Sequence, residues 1–509
     1  MRRVPTTVRE SAAPQREATA AARLALAAIV LLAAALRFAT LRTQSVWFDE
    51  AATWDLVRRP FGAMLHGVAH GESTPPLFYV LEWGWTRVFG DGEAGLRSLP
   101  ALAGLLTVPV AYAIGRRAGQ GRVAVGLAAA ALVAVDPLLV WYSQEARSYA
   151  LAVLLSALAL AFLMRARDDP RPRVLAGWAL AAALALATHY FTLFVLVPQG
   201  AWLLWRHPRR RAALAAVGGL AAVGLALLPL LLAQSGNPYD IAGTSLVVRL
   251  VQVPKQFLLG YRGPLALGLG VLGALLVLAA AWLLLRRTPP APRGRALLLA
   301  GTGAAGVALP LLAALAGADY LNARNVLPAL VPLLAALAVA CADARERPNL
   351  GAAVLAGLCA TSLAIVVAVS ADAQYQRPDW RGLARALGPG PAGGARALVV
   401  APANGELALR YYRRGIRTMG PAGAVVREVD AIAVAGSRDP GKAPELPALV
   451  GTTLAVGGFG APERSATSTY EVLRYRAVGA APVDVAPDPL AAVRFGTAPP
   501  SVDVLPAGR

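Results

Sequence analysis

The 509-residue sequence predicts an α-helical polytopic membrane protein with a small α/β domain after its last membrane span. Three observations lead to this fold class. Hydrophobic residues make up 57% of the chain and charged residues 15%, and the mean hydropathy is +0.54. Apolar runs near the ~20 residues that a spanning helix needs recur from Leu24 to Val369. From about Arg377 onwards the composition becomes that of a water-soluble domain.

Arginine clusters orient the predicted spans, because they fall in every second connection between apolar runs. The clusters are Arg116–Arg122, Arg165–Arg173, Arg206–Arg211, Arg286–Arg295 and Arg345–Arg347. This alternation follows the positive-inside rule and places the clusters and the N-terminus in the cytoplasm. The net charge of +20 is therefore chiefly a topology signal, with attraction to anionic membrane lipids as a second effect. We expect no nucleic-acid partner.

The predicted organisation has four parts. Residues 1–21 form a cytoplasmic segment, and residues 22–371 form a transmembrane domain with about eleven spans. An odd number of spans places the C-terminus outside. Residues 372–480 are expected to form an external α/β domain, because strand-like runs alternate there with a helical pattern. The tail 481–509 is rich in Pro, Ala and Asp and is expected to be disordered.

The long first external loop carries the most informative residues. The acidic pair Asp49-Glu50 lies a few residues beyond the first apolar run, which extends from Leu24 to Leu41. Two adjacent carboxylates beside a membrane helix are costly to hold there without a function. The alternative is a solvated start of the loop or an aromatic-belt edge around Trp47 and Phe48. Two later stretches, 61–65 and 76–85, mix apolar and polar residues at helical spacing and predict helices that lie in the membrane interface.

Further polar clusters fall on the same predicted side of the membrane. They contain Glu72, Tyr142, Glu145, Arg147, Tyr149, His189, Tyr190, Asp319, Tyr320 and Arg324. Solvated loops would scatter such residues over both sides, whereas here the opposite side holds mostly arginine. A carboxylate among these groups can act as a general base for a hydroxyl nucleophile. The planar fork of Arg147 or Arg324 suits a lipid phosphate.

Several of these residues also have a purely structural interpretation. Glu145 and Arg147 can be charges at a helix start, where acids are favoured. Arg324 can be a snorkelling arginine at the end of a span. His189 can be a satisfied polar residue in a turn between helices. Glu82 is interpreted as a residue that faces water from an interfacial helix.

Taken together, the motifs resemble the GT-C membrane glycosyltransferases, and in particular the protein O-mannosyltransferase-like group that includes the lipid A aminoarabinose transferases. The resemblance covers about residues 20–370 and rests on four motifs. They are Trp47-Phe48-Asp49-Glu50-Ala51, Thr74-Pro75-Pro76-Leu77, Gln144-Glu145-Ala146-Arg147-Ser148-Tyr149 and Arg324-Asn325-Val326-Leu327-Pro328. Asp379-Trp380-Arg381 is similar to actinobacterial members. The resemblance implies a multi-pass protein of a bacterial, in particular an actinobacterial, plasma membrane. The C-terminal domain does not carry the resemblance, and its external position is expected from the odd number of spans.

The resemblance implies an inverting enzyme that moves a sugar from a polyprenyl-phosphate-linked donor to a hydroxyl acceptor on the external face. The acceptor is a protein, a polysaccharide or a lipid. By this resemblance Asp49 is the general base, Glu50 completes the acidic pair, and Glu145 is the acid of the second loop. Arg147 and Arg324 would bind the donor phosphate.

The chain departs from the family at one motif. Many members have Arg-Tyr before Leu-Leu-Pro, whereas here Asn325 follows Arg324, and Tyr320 is the candidate to supply the aromatic hydroxyl at the phosphate. The remaining site candidates are Glu72, Tyr149, His189 and Tyr190.

No cofactor is predicted with certainty, and no metal-ligand spacing is present. A divalent metal at Asp49 and Glu145 stays open, because the sequence defines no complete ligand set. The alternative function is a polytopic transporter or lipid flippase of cell-envelope biogenesis. Transporters place charged residues near the bilayer midplane, whereas here they concentrate at the predicted external ends. A structural protein of envelope assembly would explain the C-terminal region but not the acidic loop.

Overall fold

The computed structural model describes residues 12–235, 244–435, 446–450, 454, 456–479, 481–496 and 500–507. The chain divides into two compact units. The first, here called the helical unit, takes in 1–39, 65–81 and 97–367. The second, here called the α/β unit, takes in 40–64, 82–96 and 368–509.

The helices account for most of the described chain. In chain order they are α1 (Ala12–Phe38), α2 (Phe48–Val57), α3 (Phe61–Gly71), α4 (Leu77–Phe89), α5 (Glu93–Ala118), α6 (Val123–Val135), α7 (Pro137–Ser143), α8 (Tyr149–Ala166), α9 (Pro172–Thr188), α10 (Leu193–Arg206), α11 (Arg211–Gln234), α12 (Leu246–Leu259), α13 (Ala266–Arg287), α14 (Pro290–Leu315), α15 (Leu330–Ala342), α16 (Pro348–Ala371), α17 (Trp380–Leu387), α18 (Gly405–Tyr412) and α19 (Pro487–Leu490).

Seven helices among the described residues are long and apolar enough to cross a membrane. They are α1 over Ala20–Phe38, α5, α8, α11, α13, α14 and α16. Helices α6 and α7 pass the same test together, although they meet at a bend of 58°, so the number rises to eight if this pair is one span. Two shorter apolar helices cover Pro172–Thr188 and Leu327–Ala342. This architecture confirms the predicted polytopic helical fold, whereas the count of eleven spans stays a prediction.

The bend between α6 and α7 follows from local sequence. Pro137 disfavours helical backbone at the preceding residue, and Asp136 takes φ −56° and ψ 123°, outside the helical range. The Asp136 carboxylate then caps α7 by accepting from the Leu139 amide at 2.9 Å. Arg37 of α1 satisfies carbonyls at the end of α6: its Nη1 donates to Ala134 O at 2.8 Å and its Nη2 to Val133 O at 3.1 Å. A fully buried arginine thus stabilises the break.

The α/β unit is built on a mixed sheet. Its strands are β1 (Ala395–Ala401), β2 (Arg417–Thr418), β3 (Ala424–Val434), β4 (Leu449–Val450), β5 (Glu463–Ala466), β6 (Tyr470–Arg476), β7 (Val483–Val485), β8 (Arg494–Phe495) and β9 (Ser501–Leu505). The main sheet has the order β2-β9-β1-β3-β6-β5, with β7 also pairing with β3, and β4 pairs with β8 separately. Only β1 and β3 run parallel among the described pairs.

The alternation of side chains along β1 creates two apolar layers, as the period of two in a strand requires. Leu398 and Val400 belong to one core with residues of α17 and α18. Ala397 and Val399 belong to the other core, on the opposite face. The predicted α/β domain is therefore present, with an apolar core on each face of its central strand.

The structure differs from the sequence prediction at both predicted terminal segments. The predicted disordered tail 481–509 contains β7, α19, β8 and β9, and β9 pairs antiparallel with β1 in the main sheet. The run Ser501-Val502-Asp503-Val504-Leu505 has the alternation of a strand, which the Pro-rich composition obscured. Of the predicted segment 1–21, residues 1–11 lie outside the described chain, and α1 already begins at Ala12.

The first loop also differs from its prediction. It forms three helices, α2 to α4, where the sequence indicated two. Residues 40–64 and 82–96 belong to the α/β unit, although the sequence assigned them to the transmembrane domain.

Candidate active site

A buried ion pair anchors a polar cluster in the helical unit. Arg147 donates from Nη1 and Nη2 to the two carboxylate oxygens of Glu72, with both distances 2.9 Å. The side chains are 4% and 7% exposed. Glu72 comes directly after α3, and Arg147 lies in the short connection between α7 and α8. Because a bidentate arginine pair fixes both direction and plane, Glu72 sets the orientation of the Arg147 guanidinium.

His189 lies near both arginines of the predicted site. It follows the end of α9, and its imidazole Nδ1 accepts from the Phe191 amide at 3.3 Å. Burial, together with the smaller effect of the positive charges of Arg147 and Arg324, lowers the pKa of His189 to about 3. His189 is therefore neutral at physiological pH. With Nδ1 as an acceptor, the ring hydrogen is assigned to Nε2, so the imidazole can donate one hydrogen bond.

A row of aromatic rings joins the elements that carry these residues. The ring centroids are 5.0 Å apart for Tyr142–Tyr149, 5.5 Å for Tyr149–His189, 5.3 Å for His189–Phe191 and 5.4 Å for Phe191–Tyr320. These spacings are those of favourable aromatic pairs. The row connects α7, α8 and the turn after α9 with the segment that follows α14. Tyr320, at its end, is 43% exposed.

Glu145 and Arg324 belong to the same cluster, since both act electrostatically on the buried Tyr142 hydroxyl. Glu145 is 1% exposed, and the Arg324 guanidinium is half-buried. The backbone amide of Arg324 donates to Asn322 Oδ1 at 3.2 Å, which shapes the turn that presents Arg324. The cluster thus combines two carboxylates with two guanidinium groups.

The segment before Arg324 is held by another arginine. Arg249 of α12 donates to the two oxygens of Asp319 at 2.6 and 2.5 Å and to Leu321 O at 2.9 Å. These hydrogen bonds lower the pKa of the Asp319 carboxyl. Asp319 therefore has a structural role.

Tyr190 is engaged elsewhere in the helical unit. Its hydroxyl donates to Gln234 Oε1 at 2.9 Å, and Gln234 Nε2 donates to Val68 O at 2.8 Å and Thr74 O at 3.1 Å. Gln234 thus links the end of α11 to residues on both sides of Glu72 in the sequence. These contacts favour a supporting role for Tyr190.

The acidic pair belongs to the α/β unit. Asp49 and Glu50 lie in the first turn of α2, where the partial positive charge of the helix N-terminus favours carboxylates. Asp49 is 8% exposed and Glu50 is fully buried. The interpretation of this pair as a solvated loop start is therefore wrong.

Glu82 was missed by sequence reasoning. The prediction that it faces water from α4 is wrong, because its side chain is fully buried. Among the described residues neither of its carboxyl oxygens has a hydrogen-bond partner. Burial raises the pKa of Glu82 well above its usual range, and the negative charge of Glu50 raises it further. The structure therefore favours a protonated Glu82 next to the acidic pair. No local sequence pattern indicated this burial.

The structure distributes the predicted site residues over both units. Six of them lie in the cluster of the helical unit: Glu72, Glu145, Arg147, Tyr149, His189 and Arg324. Tyr320 lies at the end of the aromatic row, and Tyr190 contacts Gln234 instead. Asp49 and Glu50 belong to the α/β unit. The chemical role of each residue stays a prediction.

No group of three or more His, Cys, Asp or Glu side chains in the described ranges is arranged to hold a metal ion. The divalent metal at Asp49 and Glu145 stays an alternative that rests on the sequence.

Several solved structures resemble the chain. For ArnT from Cupriavidus metallidurans bound to undecaprenyl phosphate, the identity is 15%, the TM-score 0.49, and the coverage 88% of this chain and 97% of that chain. For the S. cerevisiae protein O-mannosyltransferase Pmt1-Pmt2 complex bound to the sugar donor, the identity is 20% and the TM-score 0.34, and the match covers 42% of this chain and 33% of that chain. For arabinosyltransferase EmbB from Mycobacterium smegmatis, the identity is 17% and the TM-score 0.42, and the match covers 67% of this chain and 32% of that chain. Because every TM-score is below 0.5, these similarities support no conclusion about activity or ligands.

The sequence comparison is more informative. No curated protein matches the chain. Residues 73–233 match the family model described as dolichyl-phosphate-mannose-protein mannosyltransferase. The matched segment contains Glu145, Arg147, Tyr149 and His189. The match confirms the predicted resemblance to the GT-C group and the prediction that this chain is a membrane glycosyltransferase.

Proposed function

We propose that this glycosyltransferase moves a sugar from a polyprenyl-phosphate-linked donor to a hydroxyl acceptor, with inversion at the anomeric carbon. The observation that carries the proposal is the cluster in which Arg147 and Arg324 both lie near the neutral His189. Such a cluster suits a phosphate. The family description names dolichyl-phosphate-mannose, so a polyprenyl-phosphate mannose is the first donor to test.

The two arginines would stabilise the departing phosphate. When the bond between the anomeric carbon and the phosphate oxygen breaks, negative charge grows on that oxygen, and preorganised cations lower the barrier. Glu72 orients Arg147 before the donor arrives. A neutral His189 can donate a hydrogen bond to the phosphate without repelling the neighbouring guanidinium groups. Tyr149 contacts His189 and would keep its ring in place.

Asp49 would act on the acceptor. The acceptor hydroxyl oxygen attacks the anomeric carbon from the side opposite the phosphate, its proton passes to the Asp49 carboxylate, and polyprenyl phosphate leaves. A carboxylate is a competent general base for this step. Glu50 and Glu145 would shape the electrostatics around the reacting groups. The proposal places the enzyme in a bacterial plasma membrane with its C-terminal domain outside, and the acceptor is a protein, a polysaccharide or a lipid.

The experiment uses the purified full chain in lipid nanodiscs with radiolabelled polyprenyl-phosphate mannose or arabinose and a panel of acceptors. Asp49→Asn should abolish transfer while donor binding persists. Asp55→Asn is the matched control, because Asp55 lies on the same helix but is 38% exposed and pairs with Arg59. Undiminished transfer by Asp49→Asn would refute the assignment of the base.

The same labelled donor, offered to the protein in proteoliposomes, separates the alternative function. A flippase or transporter would move the labelled donor across the bilayer of a proteoliposome without a covalent product. The described site residues lie in loops and at helix ends, and the family match indicates an enzyme. We therefore expect labelled acceptor.

A further inference from the structure

We propose that residues 368–507, here called the C-terminal domain, position helix α2 through Tyr412 and the Arg381–Glu93 pair. In this way the domain sets the placement of the Asp49 and Glu50 carboxylates. The proposal rests on the proposed function of Asp49. It assigns a role in catalysis to a part of the chain outside the family-matched segment.

Helix α2 shares an apolar core with the C-terminal domain. Val46 and Ala51, which are 1% and 0% exposed, belong to the same buried cluster as Trp380 of α17 and Leu409 of α18. Trp47 packs against this cluster. Asp49 and Ala51 lie on nearly opposite sides of α2, because residues i and i+2 are about 200° apart around a helix. The core therefore packs on the side of α2 away from the Asp49 side chain and fixes the helix from behind.

Tyr412 holds the entry to α2. Its hydroxyl accepts from the Val46 amide at 2.7 Å and donates to Glu93 Oε1. Val46 lies two residues before the first residue of α2, and Tyr412 is the last residue of α18. The hydroxyl therefore links the start of α2, the α18 terminus and Glu93 in one arrangement.

The Arg381–Glu93 pair holds the turn that leads into α2. Arg381 Nη2 donates to the two Glu93 oxygens at 2.7 and 2.8 Å, and its Nε donates to Oε1 at 3.0 Å. The same guanidinium donates to Arg42 O at 2.8 Å and to Gln44 O at 3.1 Å. The Arg381 side chain is 23% exposed and that of Glu93 is 14%.

The cap of α17 continues this contact along the chain. Ser45 Oγ donates to Asp379 Oδ1 at 2.8 Å and accepts from the Arg381 amide at 3.2 Å. The Arg377 amide donates to Gln44 Oε1 at 3.1 Å. Consecutive residues before α2 are thus hydrogen-bonded to the C-terminal domain.

Contacts at the other end of α2 are equally specific. The Trp54 indole donates to Asp91 Oδ2 at 3.0 Å, and its ring meets Tyr411 edge-to-face with centroids 5.3 Å apart. Tyr411 donates to Asp91 O at 3.3 Å, and Arg414 donates to the Asp91 carboxylate at 3.2 Å. Adjacent tyrosines of α18 therefore contact opposite ends of α2.

A helix held at both ends has little freedom to rotate or slide. Asp49 and Glu50 lie between the two points of attachment. Because a displacement of about 1 Å can lower the rate of a proton transfer by ~10²-fold, a small loosening of α2 should appear in kcat before it appears in folding.

The test compares Tyr412→Phe and Arg381→Lys with the native chain in nanodiscs. Tyr412→Phe removes both hydrogen bonds of the hydroxyl and keeps the ring. Arg381→Lys keeps the positive charge but loses the planar guanidinium that donates several hydrogen bonds to Glu93. We expect kcat to fall at least about tenfold with the donor KM unchanged. Amide hydrogen exchange should become faster in residues 42–57, with exchange in α8 unchanged. Tyr470→Phe is the matched control, because Tyr470 packs on the same core but lies on β6, which pairs with β3 and β5.

Two outcomes would overturn the positioning role. One is an unchanged kcat in both variants. The other is a loss of kcat accompanied by faster exchange throughout β1, β3 and β6, which would indicate general destabilisation of the domain. Both outcomes refer to both variants. If only Tyr412→Phe shows the second one, Glu93→Gln decides the matter by the same criteria, because it weakens the pair and retains the side-chain shape.

Asp49→Asn separates this inference from the proposed function. It should abolish transfer with exchange in residues 42–57 unchanged. If Asp49→Asn remains active, the proposed base is wrong. The exchange data on Tyr412→Phe would then still decide whether the C-terminal domain holds α2.

Discussion

The Arg147–Glu72 pair gives the most quantitative test of how the cluster is built. Removing one partner of a buried ion pair leaves the other charge buried without compensation, at a cost of about 3–5 kcal/mol. Here both side chains are less than 10% exposed and share two hydrogen bonds of 2.9 Å. We therefore expect Glu72→Ala and Arg147→Ala each to lower the free energy of unfolding by about 3 kcal/mol.

The double variant distinguishes a specific pair from two independently useful residues. Because it removes both charges, its loss should be smaller than the sum of the single losses by about 2 kcal/mol. Denaturant titration in detergent micelles, followed by tryptophan fluorescence, measures all four proteins. Asp169 and Arg171 form the control pair, since their side chains are 34% and 61% exposed. Their coupling should stay below about 1 kcal/mol.

Additivity within about 0.5 kcal/mol for Glu72→Ala and Arg147→Ala would refute this reasoning. Donor binding gives a second measure. Since Glu72 would act through Arg147, Glu72→Ala should weaken donor binding less than Arg147→Ala does. It should add little when Arg147 is already absent. An equal additional loss in the double variant would indicate that Glu72 contacts the donor itself.

Two further predictions concern Glu82 and Arg37, two buried ionisable side chains whose surroundings the sequence did not predict. Glu82 has a raised pKa, so the folded protein holds a proton that the unfolded chain releases above the ordinary carboxyl range. The free energy of unfolding should therefore fall as the pH rises above that range. Glu82→Gln should remove this fall, which is measured as the melting temperature between pH 5 and 8. A variant whose melting temperature depends on pH as steeply as that of the native protein would contradict the prediction. Arg37→Ala should destabilise the protein by about 2–3 kcal/mol, because carbonyls at the α6–α7 bend lose a charged donor. Arg23→Ala, on the exposed side of the same helix, is the control in a thermal unfolding assay, and equal losses would argue against the bend as the cause.

The sequence predicted the helical architecture well because its signals are local. Apolar runs of sufficient length, arginine-rich connections and proline positions can all be read within a window of ~20 residues. The polar run from Tyr142 to Tyr149 and the arginine at 324 could also be read in this way, with the family motifs as a guide. The structure brings these segments together around His189. The roles of the residues remain predictions.

The structure of the α/β unit could not be predicted in the same way, because its decisive contacts join distant parts of the chain. Ser45 bonds to Asp379 across 334 positions, and Val46 bonds to Tyr412 across 366. No local pattern in the first loop indicates that it shares a core with α17 and α18. The same limit explains Glu82, whose burial depends on packing and not on the amphipathic pattern of α4.

The contact between Arg37 and the end of α6 satisfies two requirements that the sequence contains separately. An arginine inside an apolar run needs hydrogen-bond acceptors, because an uncompensated charge there is costly. Pro137 independently predicts a break, and a broken helix exposes carbonyls that need donors. Each requirement was present in the sequence, but nothing in it paired residues 97 positions apart. The structure joins the two, with the Arg37 guanidinium on Ala134 O and Val133 O. A buried donor in one apolar run and the carbonyls of a predicted helix break in another are therefore complementary, and pairing them predicts contacts that periodicity alone does not predict.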